Sequence, residues 1–199
     1  MGFYEISMVK DCWATMKLKT AVVGLVKSDP SGITIKKLLA ESGVGRTTFY
    51  SHFSNIDQLM CYVFYSDNIS RVPGMYREDT LQATIKTNLG YFKDNRDFYR
   101  YALESDEPDS FRYFLADFWY HCHKRAYNEF HGKDLDADLP PDIDLEFRIL
   151  TSGLSRTAQE MIMGNVELDP DKGSEIFTNC FAKTLLYIGR ENAKKATKV

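Results

Sequence analysis

Apolar residues recur along most of the chain at the spacing of an α-helix, and no segment alternates apolar and polar residues over the length of a strand. The first apolar stripe on one helical face consists of Leu18, Ala21, Val22, Leu25 and Val26. The segment 28–32 contains Pro and Gly and ends this first helix. The pattern predicts an all-α protein.

Two short helices are predicted after this segment. Thr34 is a good N-cap residue, and the helix that it begins ends at Gly43. The next helix carries Phe49 and Phe53 one turn apart on its inner side. Two short helices joined by a tight turn containing Gly are typical of a helix-turn-helix.

The rest of the chain is also predicted to be helical. Ser54 is predicted to cap a fourth helix, with Asp57 three residues later in the position of a capping box. Beyond Pro73 and Gly74, further helices are predicted at about 80–94, 96–105, 110–131, 143–164 and 172–193. The acidic segment 134–144, which contains two prolines, is predicted to be an exposed loop.

The turn and the second short helix of the motif suit DNA recognition. Gly43 can adopt the left-handed conformation that ends one helix, and Val44 can fill the small core behind it. Burial of the two phenylalanines turns a set of polar side chains outward: Arg46, Thr47, Thr48, Tyr50 and His52. These side chains offer hydrogen-bond donors and a methyl group to base edges and phosphates in a major groove.

The charge of the chain is unevenly distributed. The net charge is −3, which alone argues against binding to phosphates. Residues 1–60 carry seven cations and five acids, a balance of +2, so that the remainder carries −5. A small basic head on a more acidic body is the distribution that a DNA-binding head requires.

The segment 32–59 resembles the N-terminal motif of the TetR family of transcription regulators. The residues that carry the resemblance are Thr34, Ser42, Gly43, Val44, Thr48, Tyr50, His52, Phe53 and Leu59. The resemblance implies a TetR-like all-α fold, with a DNA-binding head at 1–54 and a ligand-binding and dimerisation body at 55–199. The remaining two-thirds of the chain matches the family only in helix pattern and length.

The resemblance also implies a set of DNA contacts. Thr34 and Lys36 would hold phosphate, and Tyr50 and His52 would contact the backbone. The residues that would face bases or backbone are Arg46, Thr47 and Thr48. The family commonly has a Lys early in the fourth helix that contacts phosphate, and here Ile56 occupies that position. Either operator affinity is lower for this reason, or Asn55 takes the place of the missing lysine.

Aromatic residues make up 14% of the chain, which is high, and they are concentrated between 98 and 121. Each ring taken alone is best explained as part of a helical core. Taken together, the rings with polar tips exceed what a core requires. The resemblance implies that this region lines a ligand cavity, with Tyr62, Tyr91, Phe92, Tyr99, Phe114, Phe118 and His121 as candidates.

No metal, cofactor or catalytic centre is expected. The four cysteines are scattered singly, so that reduced thiols are the expectation. His121 and His123 are two residues apart on a helix and point about 200° from each other, which prevents them from sharing an ion unaided. The chain contains no nucleophile elbow, P-loop or zinc-protease motif.

The last two predicted helices carry apolar stripes that would ordinarily form intramolecular core. A helix-turn-helix head, however, binds palindromic DNA in pairs, and Ser152, Gly153 and Ser155 permit close helix approach. The preferred hypothesis is a four-helix homodimer interface, which is also the family's usual one. Its predicted residues are Phe147, Leu154, Ala158, Phe177, Phe181 and Leu185.

These predictions lead to a first functional hypothesis and two alternatives. The first is a cytoplasmic repressor, not associated with membranes, that leaves a palindromic double-stranded DNA operator when a small-molecule effector fills the body. The second is a DNA-binding regulator without such an effector. The third is a helical enzyme or lipid carrier that has kept the head as a dimerisation element.

Overall fold

The computed structural model describes residues 2–28, 32–68, 81–167 and 169–180. Within these ranges the chain is helical and contains no strand, which confirms the predicted all-α class. The helices are α1 (Phe3–Ser7), α2 (Trp13–Ser28), α3 (Ile35–Ser42), α4 (Arg46–His52), α5 (Ile56–Asn68), α6 (Leu81–Asp94), α7 (Arg96–Ala102), α8 (Phe111–Phe130), α9 (Pro141–Met163) and α10 (170–180).

Helices α2, α3 and α4 lie in the predicted head and pack around a small apolar core. Leu18 and Val22 of α2 are fully buried, as are Leu38 of α3 and Phe49 of α4. Phe53, directly after α4, is also buried and lies against Tyr62 of α5 with ring centroids 5.4 Å apart. The core of the head therefore continues without interruption into α5.

Helix α5 is the central helix of the body. All six residues from Leu59 to Phe64 are almost completely buried, as expected of a helix that is surrounded by others. The ring of Phe64 contacts Phe92 of α6 and Phe111 and Phe118 of α8, at centroid distances of 5.7, 5.4 and 5.0 Å. Helix α9 packs along α8.

Helix α1 was not predicted from the sequence. Phe3 and Ile6 are buried, and the helix packs on α5 and α8 of the body. The backbone N–H of Phe3 donates a hydrogen bond of 2.5 Å to the carboxylate of Asp117. Residues 3–7 fall in the predicted head by number, but their contacts are with the body.

The start of α5 differs from the prediction by one residue. Asn55, not Ser54, caps the helix, because its side-chain oxygen accepts a hydrogen bond of 2.9 Å from the backbone N–H of Gln58. The side chain of Gln58 reaches back to the backbone N–H of Ser54 at 2.6 Å. Asp57 instead accepts a hydrogen bond from Ser105 in the loop before α8.

Several predicted features lie outside the described residues. They are the turn at Pro73 and Gly74, the end of the last helix beyond 180, and its residues Phe181 and Leu185. Among the described helices, none is both long and apolar enough to cross a membrane.

Candidate nucleic-acid interface

The turn between α3 and α4 has the geometry that the sequence predicts. The Thr34 side chain caps α3 by accepting a hydrogen bond of 3.2 Å from the backbone N–H of Lys37. Gly43 has a φ of 68°, in the left-handed region, and its N–H donates to the carbonyl oxygen of Leu39 at 3.0 Å. Val44 is buried directly behind the turn. The chain therefore reverses into α4 at a residue that tolerates positive φ.

Helix α4 has one buried and one exposed side. Phe49 is completely buried, whereas Arg46, Thr47, Thr48 and Tyr50 are exposed. The guanidinium of Arg46 lies over the ring of Tyr50, 5.5 Å from its centroid, in a cation–π contact one helical turn long. The polar side chains predicted to face DNA thus form one outward surface.

The other predicted contacts lie at the start of α3 and at the end of α4. Thr34 and Lys36 are exposed at the start of α3. His52, the last residue of α4, is half-buried, and its Nε2 lies 3.7 Å from the Sγ of Cys12. Thr34 and Lys36 are therefore more accessible to a DNA duplex than His52 is.

Asn55, the predicted substitute for the missing lysine, has hydrogen-bond partners within the protein. Its amide nitrogen donates a hydrogen bond of 2.7 Å to the carboxylate of Asp109, and its oxygen caps α5. Both ends of the amide are therefore occupied within the protein. Burial raises the pKa of the nearby Asp57, and the negative charges of Asp109 and Glu107 act in the same direction. An acidic setting of this kind does not attract a phosphate.

Most of the aromatic residues proposed for a ligand cavity pack against one another. Phe92, Tyr99, Phe114 and Phe118 are almost completely buried, and the ring of Tyr99 meets Phe92 edge-on at 4.9 Å. These contacts follow the simpler interpretation, in which the rings form the core of the body.

Tyr62 and His121 have specific partners elsewhere. The Tyr62 hydroxyl donates a hydrogen bond to Asp11, and burial together with that carboxylate raises the pKa of Tyr62 to about 12. The ring of His121 stacks on Phe3 at 4.9 Å. His123 instead contacts Phe147 of α9, so that the two imidazoles approach different neighbours of α8.

Tyr91 is the cavity candidate that lines a described groove. This groove of about 330 Å³ lies between α2, α5, α6 and α7. Its polar wall includes an ion pair between Lys19 and Asp67, and Asp67 also accepts a hydrogen bond from the Tyr91 hydroxyl. Val23 and Phe98 contribute apolar surface.

Four of the six predicted dimer residues lie within the described part of the chain. Phe147, Leu154, Ala158 and Phe177 are buried within the single chain, and Phe177 meets the ring of Trp119 edge-on at 6.2 Å. They pack in the intramolecular core between α8, α9 and α10, as an ordinary apolar stripe would. The apolar residues that α9 and α10 do expose are Leu145, Ile149, Met163 and Ile176. Leu145 and Ile149 are four residues apart and therefore lie on the same face of α9. This second apolar stripe, visible in the sequence, could have indicated the exposed face of the helix.

Comparisons with known proteins support the fold. No protein-family model and no curated protein sequence matches the chain. A solved structure, the dihydroxyacetone kinase operon activator DhaS, is similar with a TM-score of 0.55 and 17% sequence identity, over 88% of this chain and 96% of that chain. At this identity the similarity concerns the fold, and the fold of this chain is a TetR-like arrangement of helices.

Proposed function

We propose that the chain is a transcription regulator that binds double-stranded DNA as a homodimer and inserts α4 into the major groove. The observation that carries the proposal is the division of α4, where burial of Phe49 leaves Arg46, Thr47 and Tyr50 on one exposed face. A short helix presented in this way by a left-handed glycine turn fits a groove about 12 Å wide. The likeness to DhaS, whose name describes an operon activator, agrees with this proposal.

The proposed roles follow from side-chain chemistry. Arg46, Thr47 and Thr48 lie at the start of α4 and would contact base edges or backbone, since the N-terminal residues of a recognition helix approach the bases. Tyr50 and His52 would contact the backbone. Thr34 and Lys36 would hold a phosphate at the start of α3. The head at 1–54 would thus bind DNA, and the body at 55–199 would dimerise.

We propose that the dimer forms through the outer faces of α9 and α10. Leu145 and Ile149 are 59% and 67% exposed, and Ile176 is 51% exposed. Apart from its chain neighbours and the backbone of its own helix, no atom of the described residues lies within 4 Å of the position that a Cβ at Gly153 would occupy, which leaves room for a second helix. Burial of these side chains in a partner would remove apolar surface from water and couple two heads.

Two modes of regulation remain as proposals. In the first, a small effector changes the spacing of the heads, which must match half-sites about 34–36 Å apart, and thereby releases a repressor. The groove beside Tyr91 lies between α2 of the head and helices of the body. An effector bound in this groove would act on the spacing of the heads. In the second, no effector is needed, a mode favoured by the mutual packing of Phe92, Tyr99, Phe114 and Phe118.

The DNA-binding proposal is tested with duplexes selected from a random-sequence pool by the purified protein. Binding of a labelled selected duplex, followed by fluorescence anisotropy, should weaken steeply with salt, with a log–log slope of about −5 if the dimer holds about six phosphates. A slope near zero, or no enrichment of a shared sequence, would contradict the proposal. Lys36→Ala should make the slope shallower, whereas Lys93→Ala, an exposed lysine of α6 in the body, should not.

A reporter gene controlled by the selected duplex then separates the modes of regulation. Repression is the sign we propose, whereas activation is the activity in the name of DhaS. Turnover of a substrate without any selected duplex would favour the enzyme alternative.

A further inference from the structure

Cys12 lies at the point where the N-terminal segment enters the first helix of the head. It directly precedes α2, and its carbonyl oxygen accepts a hydrogen bond of 3.0 Å from the backbone N–H of Met16. Its backbone N–H donates to the Thr15 hydroxyl at 2.9 Å, and that hydroxyl lies 3.7 Å from the Cys12 sulfur. The thiol is held beside the positive end of a helix of 16 residues, where a thiolate is stabilised.

His52 approaches the same sulfur from a different element. Its Nε2 lies 3.7 Å from Cys12 Sγ across 40 residues of sequence. An imidazole at this distance can accept the thiol proton, which is the arrangement of an activated nucleophile and its base. His52 is also the last residue of α4, so the pair joins a nucleophile to the helix proposed to bind DNA.

The setting of Cys12 differs from that of two other cysteines. Burial raises the pKa of Cys61 and of Cys122 above the ordinary range, whereas hydrogen bonds from Thr15 lower the pKa of Cys12. Cys12 is only partly buried. Asp11, whose carboxylate acts in the opposite direction, is bound by the Tyr62 hydroxyl.

We propose that Cys12 and His52 form a modification site for soft carbon electrophiles that carry a carbon–carbon double bond conjugated to a carbonyl. His52 accepts the thiol proton, and the sulfur lone pair forms a bond to the β-carbon of the electrophile. The π electrons of the double bond move to the carbonyl as an enolate, which takes a proton from the imidazolium or from water at the α-carbon. The product is a thioether, and no oxidant or second thiol is required.

The adduct would act on α4 through direct contact. A ring or alkyl group attached to Cys12 Sγ would compete with the imidazole of His52, 3.7 Å away, for the space beside the sulfur and would displace the end of α4. Movement of this helix end displaces Tyr50, two residues earlier, from its place on the exposed surface. This consequence rests on the proposed DNA function, whereas the reactivity of the thiol does not.

The reactivity is tested on the intact protein with N-ethylmaleimide as the electrophile. Mass spectrometry of peptides over time should show Cys12 alkylated before Cys61 and Cys122 and faster than Cys180, which is exposed. His52→Gln should slow alkylation of Cys12 on the order of tenfold or more and move the pH midpoint of its rate upward. Ser51→Ala, at the adjacent exposed position of α4, should change neither the rate nor the pH profile.

Equal rates at Cys12 and Cys180, or a rate unchanged by His52→Gln in a variant with unaltered circular dichroism, would overturn the inference. The effect on DNA is measured separately with the selected duplex. Alkylation should weaken duplex binding by the chain that has Cys12 and should leave duplex binding by Cys12→Ser unchanged. Fast alkylation of Cys12 with unchanged duplex binding would refute the effect on α4 but retain the reactive site. Failure to bind any duplex before alkylation would count only against the proposed function.

Discussion

The backbone N–H of Ile33 donates a hydrogen bond to the hydroxyl oxygen of Tyr101, 3.1 Å away. Ile33 directly precedes the cap of α3, and Tyr101 belongs to α7, so that this bond fixes the start of the helix-turn-helix to the body. The ion pair between Lys19 and Asp67 joins α2 to α5 nearby. These two polar contacts, like the bond from the Tyr62 hydroxyl to Asp11, hold the head on the body, and a rearrangement of the body would break them.

Removal of the Tyr101 hydroxyl tests the first of these points. Tyr101→Phe leaves the N–H of Ile33, a residue with only 8% exposure, without its side-chain acceptor. The free energy of unfolding should fall by about 1–2 kcal/mol, the usual cost of a buried donor that loses its partner. Urea denaturation measures the change, and Tyr113→Phe on the exposed side of α8 is the matched control. Equal stability of the two variants would show that the bond does not contribute.

Substitution on the exposed side of α4 should separate DNA binding from folding. Tyr50→Ala and Thr48→Ala should weaken binding of the selected duplex and leave helicity unchanged, because both side chains are exposed. Anisotropy measures binding and circular dichroism measures the fold. Tyr113→Ala provides a tyrosine of similar exposure on a body helix and should retain full binding. A parallel loss of helicity and binding would mean that the two faces of α4 are reversed.

A charge should have different effects on the two apolar stripes of α9, because one stripe is exposed and the other is buried within the chain. Ile149→Glu places a carboxylate on the exposed stripe, where it would be desolvated only in a dimer, and should give a folded monomer. Phe147→Glu places the same charge in the intramolecular core and should destabilise the chain itself by several kcal/mol. Sedimentation and thermal unfolding distinguish these outcomes. A dimer that survives Ile149→Glu would place the interface elsewhere.

His123 should make the protein sensitive to mild acid. Burial lowers its pKa to about 4 from an ordinary value of 6.5, so the folded state keeps the imidazole neutral while the unfolded chain accepts a proton. The stability that depends on this neutral imidazole is fully present above pH 6.5 and is lost as the pH falls from 6.5 towards 4. The loss between pH 6.5 and 5 is on the order of 2 kcal/mol.

Chemical unfolding at pH 7 and pH 5 measures this loss. His123→Gln should reduce the difference in unfolding free energy between pH 7 and pH 5, whatever its effect on stability at pH 7. His131→Gln, at an exposed position, should retain the full difference. An unchanged difference in His123→Gln would assign the acid sensitivity to other groups.

The sequence predicts most of the helices and the turn at Gly43, because amphipathic stripes and a left-handed glycine are local features. Helix α1 was not predicted because five residues are too few to show a helical period. Its stability comes from contacts of Phe3 with residues of the body that are distant in sequence. Ser54 and Asn55 are both good N-cap residues, so that sequence alone did not separate them.

The candidate sites divide in the same way. The exposed side of α4 follows from the burial of one phenylalanine, a local consequence of helical geometry. The choice between the two stripes of α9 depends on which one meets α8, and that is decided by the tertiary arrangement. Phe147 and Ile149 are both apolar residues on one helix, and only the fold distinguishes the buried one from the exposed one.

The arrangement of α4 bears on how the protein can diversify. Its outward side chains take no part in the core formed by Phe49 and Phe53, so that exchange of Thr47 or Arg46 for other polar residues costs little of the stability that every variant must retain. A duplicated gene could therefore acquire a new target sequence by surface substitutions alone, with the turn, the interior and the second half of the molecule inherited unchanged.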